Sequence, residues 1–227
     1  MQTARARQSS RDLVVTRVGP LVPGAPAPAA ARPGRLPAEA VQEARAVAAD
    51  LLAGDPARLS HTRGVAATAS VVARVLPPAE RPVLVAAAWL HDVGYAPELV
   101  RHGYHPLDGA RWLADRGWDE RVVGLVAHHS GARFVAAHLR LAPQLAAVSV
   151  PGSATGPLAD ALAYADQRTG RLGEPVDLDA RFAEVRRRRG ADSATVRVSG
   201  VREPALRAAV RRTEERLARA PWPAPGA

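Results

Sequence analysis

The sequence predicts an all-α domain that follows an irregular N-terminal tail. Apolar residues recur at intervals of three and four in successive segments, which is the spacing of one face of a helix. Proline and glycine separate these segments, and we find neither a repeating unit nor the alternating pattern of a half-buried strand. With 227 residues the chain is long enough for one domain with a substantial core.

Residues 1–37 are predicted to form a disordered tail, and residues 38–220 one folded domain that includes the C-terminal helices. The tail is rich in Arg, Ser, Pro, Ala and Gly, and its prolines interrupt any apolar stretch of signal-peptide length. The longest strongly apolar run of the chain, residues 83–90, is far shorter than the roughly 20 residues of a membrane span. We therefore expect a cytoplasmic, unprocessed protein without a membrane anchor.

The first two helices are delimited by proline and by a turn. Pro37 suits the first position of a helix that runs to about Ala53, and Gly54-Asp55-Pro56 breaks the chain after it. We expect Ser60 to cap the second helix. The buried stripe of this helix is predicted to contain His61, Val65, Ala69, Val72 and Leu76.

The third helix is predicted to lie at the centre of the fold. Residues 82–92 are apolar on all sides, and Gly94 stops the helix directly after a His-Asp pair. After a loop, the fourth helix begins at His105-Pro106 and ends at Gly117.

The remaining helices are amphipathic. Asp119 is expected to cap the fifth helix, residues 133–147 continue helically with an interruption at Pro143, and a loop covers residues 149–157. The predicted stripes are Val122, Leu125, Val126 and His129 in the fifth helix, then Leu158, Leu162 and Asp166, then Leu178, Phe182 and Val185, and finally Leu206, Val210, Thr213 and Leu217.

The charge of the chain is strongly basic, at +9, and all 31 basic residues are Arg. The only dense basic run is residues 186–189. We interpret it as a solvated helix end rather than a nucleic-acid surface, because only 4% of the residues are aromatic and could stack on bases. The chain has no cysteine, so any transition-metal site must use histidine and carboxylate ligands.

Histidines and carboxylates are placed where such a site would need them. Five of the seven histidines fall at helix starts or on apolar faces: His61, His91, His105, His128 and His129. Asp92 and Asp166 also lie on inward-facing positions, where a carboxylate is costly to bury without a cationic partner. Imidazole and carboxylate are preferred ligands of Zn, Mn and Fe. The pattern favours a metal site over several independent core histidines.

These residues resemble the HD-domain family of metal-dependent phosphohydrolases. The matching segments are Arg58-Leu59-Ser60-His61-Thr62, Trp89-Leu90-His91-Asp92-Val93-Gly94-Tyr95, His105-Pro106-Leu107-Asp108-Gly109-Ala110, His128-His129-Ser130-Gly131-Ala132 and Tyr164-Ala165-Asp166. The resemblance implies an HD-domain helical bundle that binds one or two divalent ions, with Mn, Fe, Zn, Mg and Co all open. It implies that His61, His91, Asp92 and Asp166 hold a first ion. It further implies that His105, with one or both of His128 and His129, holds a second ion bridged by Asp92.

His128 and His129 can both be ligands only if the metal lies between their directions, because neighbouring residues point about 100° apart on a helix. The resemblance favours His128, the first position of the pair, as the surer ligand. His129 shares a stripe with Val126 and Val122, so a packing role stays open for it.

Other residues are candidates for contact with the substrate. Arg58 and Arg63 flank His61, and the resemblance implies that an Arg near this histidine meets a substrate phosphate; an exposed helix-start Arg is the alternative for each. Tyr95, Tyr104 and Asp108 could orient ligands or substrate, or simply pack. His102 and His138 match no motif and are interpreted as surface residues.

The resemblance and the ligand set predict a hydrolase that uses metal-activated water and no protein nucleophile. The expected substrate is a phosphomonoester or phosphodiester, in a nucleotide or related small metabolite, and His91, Asp92, Arg58 and Arg63 are the expected catalytic residues. Residues 130–132 lack the acidic residue and Gly-Tyr-Pro of cyclic-dinucleotide phosphodiesterases, which disfavours that subgroup. The alternatives are an HD-fold diiron oxygenase with the same ligands and a non-catalytic metal-binding module. The oligomeric state is left open.

Overall fold

Helices joined by short turns make up the part of the chain that the computed structural model describes, which is residue 36 and residues 38–220. The helices are α1 (Ala38–Leu51), α2 (Pro56–Val72), α3 (Arg81–Leu90), α4 (His105–Asp115), α5 (Glu120–His128), α6 (Ala132–His138), α7 (Ala142–Ala147), α8 (Pro157–Gln167), α9 (Leu178–Arg189), α10 (Ala194–Arg197) and α11 (Ser199–Arg219). Within these residues a single bridge between Thr169 and Pro175 is the only β-type pairing. The all-α prediction is confirmed.

The predicted tail falls outside the described residues, apart from its last part. Leu36 is described and is buried in the main core, so the packed part of the chain includes a residue two positions before the predicted boundary at residue 38. Among the described helices, none combines the length and the apolar character needed to cross a membrane.

The start of α2 differs from the prediction. Asp55 is the N-cap, its side chain accepts a hydrogen bond of 2.9 Å from the Arg58 backbone N–H, and Pro56 occupies the first turn. A capping carboxylate followed by proline is a complete start signal, so Ser60 lies inside the helix and not at its cap. As a result Arg58 and His61 are one turn apart on the same side of α2.

Helix α3 lies at the centre of the fold, as predicted, and packs against α1, α2, α5 and α8. Six of its ten residues are buried, and three of these six are alanines, whose small side chains let neighbouring helices approach closely. The helix ends at Leu90, two residues earlier than expected. His91 is its C-cap, and Asp92 leads into a 3-10 turn at Val93–Tyr95.

The segment after α5 changes direction sharply. Asp119 caps α5 as predicted, accepting a 2.9 Å hydrogen bond from the Arg121 backbone N–H. Beyond the end of the helix, Ser130 and Gly131 both have positive φ angles, of 54° and 71°. The predicted helical segment 133–147 is two helices, α6 and α7, and the break precedes Pro143.

The C-terminal helices form a second, smaller apolar cluster with α8. This cluster contains Ala163, Leu178, Phe182, Leu206, Ala209 and Val210. It packs α9 and α11 against Ala163 of α8, which lies about one turn before Asp166, and so brings the two C-terminal helices near the candidate site.

We predict that Gly94→Ala destabilises the domain. A Cβ at Gly94 would overlap the carbonyl oxygen of His105 and lie 2.6 Å from the backbone nitrogen of Gly109, so the turn and α4 would have to move apart. Overpacking of this kind costs about 1–3 kcal/mol, which urea unfolding followed by circular dichroism would measure. Gly54→Ala is the matched control, since nothing lies within 4 Å of its added Cβ. Equal stability of the two variants would contradict the close packing described here.

Candidate metal centre

Asp92 lies between two pairs of imidazole rings and is only 3% exposed. Its Oδ2 atom is 3.4 Å from His91 Nε2 and 3.9 Å from His61 Nε2. Its Oδ1 atom is 3.4 Å from His105 Nε2 and 3.6 Å from His129 Nε2. Each carboxylate oxygen therefore faces its own pair of histidines.

Three of these rings are oriented by the backbone. The Nδ1–H groups of His61, His91 and His129 donate to the carbonyl oxygens of Gly170, Ala88 and Val126, at 2.9, 2.7 and 2.6 Å. A neutral ring that donates from Nδ1 presents the Nε2 lone pair, and here the Nε2 atoms point towards Asp92. Hydrogen bonds of this type are the usual way in which proteins fix metal-binding histidines.

The arrangement requires a cation between ring and carboxylate. The Nε2 atom of His91 is buried and has no hydrogen-bond partner, although a carboxylate oxygen lies 3.4 Å away. A lone pair and an anionic oxygen at that distance repel unless a proton or a metal ion lies between them. Burial lowers the pKa of His91, but the charges of Asp92 and Asp166 and the hydrogen bonds of the ring together outweigh it, and the pKa is raised.

Both buried carboxylates remain ionised. Burial raises the pKa of Asp92, but the charges of Arg58 and His91 outweigh this effect and hold the pKa well below its usual value. Burial acts in the same way on Asp166, where the hydrogen bond with His61 and nearby cations hold the pKa well below its usual value. Metal ligation requires the ionised form of a carboxyl group, so both side chains are ready to bind.

Two overlapping sets of atoms could hold a metal ion. The ligand atoms of His61, His91 and Asp92 all lie within 4.8 Å of one another, and so do those of Asp92, His105 and His129. Asp166 lies beside the first set, with Oδ1 3.2 Å from His61 Nε2. The donors are imidazole nitrogen and carboxylate oxygen, which suit Zn, Mn and Fe. The residues therefore fit one or two divalent ions, with Asp92 shared.

His105 enters this set from the first turn of α4. Its ring stacks on Tyr95 with centroids 3.9 Å apart, and its Nε2 lies 3.1 Å from His129 Nε2. Burial lowers the pKa of His105 to about 3 despite the nearby Asp92 charge, so the ring is neutral and can act as a ligand.

The preference for His128 over His129 is reversed by the structure. His128 Nε2 pairs with the hydroxyl of Ser149 at 2.9 Å and belongs to neither ligand set. His129 is the C-cap of α5 and continues the buried stripe of Val122 and Val126, which points at Asp92. The turn at Ser130 and Gly131 makes His129, and not His128, the residue at the helix end.

The two arginines that flank His61 have different positions. The Arg58 Nη1 group donates to Asp92 Oδ2 at 2.7 Å, and its guanidinium lies over the Tyr95 ring, 4.0 Å from the ring centroid. Arg63 is exposed, because a residue two positions after His61 faces away from it on a helix. Only Arg58 reaches the site.

The side chains of Tyr104 and Asp108 form hydrogen bonds with backbone groups and belong to neither set of candidate metal ligands. The Tyr104 hydroxyl donates to the carbonyl oxygen of Ala132 at 2.7 Å. Asp108 accepts hydrogen bonds from the backbone N–H groups of His102 and Tyr104, and its Oδ1 lies 2.7 Å from His102 Nδ1. His102 and His138 are both exposed, as expected, and His102 also anchors this loop.

Comparison with protein families agrees with this geometry. The model of the HD domain matches residues 58–183, which is more than half of the chain. The chain belongs to the HD-domain family. No curated protein and no solved structure matches it significantly. The matched region of the HD domain contains every candidate ligand, and it ends within α9, before α10 and α11.

Several residues that line the cavity around Asp92 were not predicted from the sequence to lie there. These are Arg181, Arg188 and Arg189 from α9 and Arg202 from α11. Residues 186–189 do form an exposed helix end, as interpreted, but two of them also reach the cavity. Gln167 and Ser130 were missed as well: the Gln167 Nε2 group donates to Asp166 Oδ2 at 2.8 Å and to Ser130 Oγ at 2.9 Å.

We predict that His129→Ala and His128→Ala differ in metal content. His129→Ala removes a nitrogen from the second ligand set, so elemental analysis of the purified protein should show about half of the wild-type content if two ions are bound. His128→Ala should keep the wild-type content, because it removes only the contact with Ser149. Loss of metal from the His128 variant alone would contradict the assignment.

Proposed function

We propose that the protein is a metal-dependent phosphohydrolase that acts on a phosphomonoester or phosphodiester of a nucleotide or a related small metabolite. The supporting observation is the shared carboxylate of Asp92, set between two pairs of histidines in a cavity lined by arginines. In this proposal His61, His91, Asp92 and Asp166 hold one divalent ion, and Asp92, His105 and His129 hold a second.

When bound, such ions lower the pKa of coordinated water and offset the charge that develops on phosphoryl oxygens. The chain therefore does not need a nucleophile of its own. It has no cysteine, and the hydroxyl of Ser130 accepts hydrogen bonds from Gln167 and from Arg202, at 2.9 and 3.0 Å, which leaves it no basic partner.

Arg58 is the residue of the family-matched region best placed to bind the reacting phosphoryl group. Its guanidinium has five N–H donors, and Nη1 alone is taken by Asp92. The ring of Tyr95 holds the guanidinium from one side. Burial lowers the pKa of Arg58, but the charge and hydrogen bond of Asp92, together with Tyr95 and Asp55, outweigh it, so the pKa is raised and the side chain stays cationic at any working pH.

The lining of the cavity favours this reaction over the two alternatives from the sequence. A diiron oxygenase and a binding module would use the same histidines and carboxylates, so the ligands do not separate the three functions. Arginine side chains from α2, α9 and α11 line the same cavity. Such side chains bind phosphoryl oxygens with charge-assisted hydrogen bonds, and this favours a phosphorylated substrate.

The test is phosphate release from nucleoside monophosphates, diphosphates, triphosphates and cyclic nucleotides, by the full-length protein loaded with Mn²⁺ in the absence of oxygen. We expect turnover in the wild type, and a loss of more than about 100-fold in Asp92→Ala, because removal of the shared carboxylate unseats both ions. Elemental analysis of the variant should show the metal loss, and its helical circular dichroism should be largely intact.

Asp115→Ala is the control for this variant, since Asp115 is an exposed aspartate at the end of α4. It should keep both metal and turnover. Oxygen uptake with a mixed-valent iron signal and no phosphate release would show an oxygenase instead. Tight metal retention without either activity would show a binding module.

A further inference from the structure

Five arginines line the cavity around Asp92: Arg58, Arg181, Arg188, Arg189 and Arg202. Three of them have a carboxylate partner. Arg58 pairs with Asp92 at 2.7 Å, while Arg181 and Arg188 pair with Glu184 at 3.1 and 2.8 Å. Within the described residues, Arg189 and Arg202 contact neutral oxygens and make no ion pair. These two side chains bring positive charge to the cavity without a directly paired carboxylate.

Arg202 is the more unusual of the two, because it is only 5% exposed. Its Nε and Nη2 groups donate to the carbonyl oxygen and hydroxyl of Ser130, at 2.8 and 3.0 Å. The adjacent Glu203 is already paired with Arg186 at 2.6 Å. Burial lowers the pKa of Arg202, and the more distant charges of Asp166 and Glu203 do not fully offset this effect. A buried guanidinium without a counter-ion is costly, so an anion in the cavity would be strongly attracted.

The backbone that Arg202 contacts has an uncommon conformation at residues 130 and 131. Ser130 has a φ of 54°, which is uncommon for a residue with a side chain, and Gly131 follows with a φ of 71°. A Cβ at Gly131 would lie 3.0 Å from Arg202 Cγ. Such backbone conformations persist where the surrounding structure requires them, and here the turn presents its oxygens to the guanidinium.

Arg189 reaches the cavity from the end of α9. Its Nη2 group donates to the hydroxyl of Tyr95, the same residue that stacks on His105. Because only this donor has a partner in the described structure, the other N–H groups of the guanidinium remain free to bind a ligand.

We propose that the cavity takes a substrate with two anionic groups, a reacting phosphoryl group at Asp92 and Arg58 and a second anionic group at Arg189 and Arg202. The proposal rests on the proposed phosphohydrolase function for the first group. A single phosphoryl group carries at most two negative charges. Two further arginines, added to the charge of the metal ions, would exceed what a monophosphate can offset. Nucleoside diphosphates and bisphosphates are therefore the substrate class that fits best.

The contributing residues lie outside the region that the HD domain model matches, since that region ends at residue 183. The second anion site is therefore a feature of the C-terminal helices of this chain and uses none of the candidate metal ligands.

The test uses non-hydrolysable probes and isothermal titration calorimetry on the full-length, Mn²⁺-loaded protein. Methylphosphonate carries one anionic group, methylenediphosphonate carries two phosphonates, and phosphonoacetate replaces the second phosphonate by a carboxylate. We expect methylenediphosphonate to bind at least about tenfold more tightly than methylphosphonate, as one additional charge-assisted contact provides. The affinity of phosphonoacetate shows whether the second group is a phosphoryl group or a carboxylate.

The variants Arg189→Gln and Arg202→Gln should each reduce this ratio by about fivefold or more. A chelating probe contacts the metal ions equally in wild type and variant, so the change in ratio measures the arginine alone. Arg187→Gln is the matched control, because Arg187 is an exposed member of the same run and does not line the cavity. Arg189 is exposed, so its variant tests the proposal even if Arg202→Gln fails to fold.

An unchanged ratio in Arg189→Gln, and in Arg202→Gln where it folds, would overturn the second anion site, whatever the enzyme assay shows. A reduced ratio in a protein that releases no phosphate from any nucleotide would support the anion site and reject the hydrolase. The two proposals can therefore fail separately.

Discussion

The burial of one carboxylate determines how the central helices meet. Asp92 is removed from water, so its charge must be met by cations or hydrogen-bond donors, or the folded state pays a large desolvation cost. Helix α2 brings Arg58 and His61, the end of α3 brings His91, and α4 and α5 bring His105 and His129. Four helices thus converge on a single side chain. The contacts that surround Asp92 therefore set both the packing of these helices and the geometry of the candidate metal centre.

His91 and His129 are oriented by the same type of hydrogen bond at the end of a helix. The last carbonyl groups of a helix lack partners within the helix. His91 and His129 are the C-caps of α3 and α5, and each donates from Nδ1 to the carbonyl oxygen three residues earlier. The same hydrogen bond therefore ends the helix, fixes the tautomer and directs Nε2 at Asp92. His128 lies one residue too early to do this, which explains why it pairs with Ser149 instead.

Features that depend on neighbouring residues could be predicted from the sequence, whereas the exact end of a helix and the packing of distant helices could not. The helical spacing, the apolar α3 and the capping role of Asp119 depend on neighbouring residues, and they were predicted from the sequence. The choice between His128 and His129 depends on where α5 ends, which the positive φ angles of Ser130 and Gly131 decide. Ser60 was wrongly expected to cap α2, because two competing start signals lie five residues apart. Arg189 and Arg202 reach the cavity only through packing of α9 and α11, which no local pattern reveals.

Ser130 links the metal centre to the arginine-lined part of the cavity. It follows His129 directly, so its backbone conformation sets the end of α5 and hence the direction of an imidazole ligand. Its two oxygens hold Arg202, and its hydroxyl also binds Gln167, whose amide donates to Asp166. Arg202 therefore contacts the same turn that ends α5 at His129, and Ser130 connects it to Gln167, the partner of Asp166. The arginine-lined part of the cavity and the candidate metal centre thus share one structural element, the turn at Ser130.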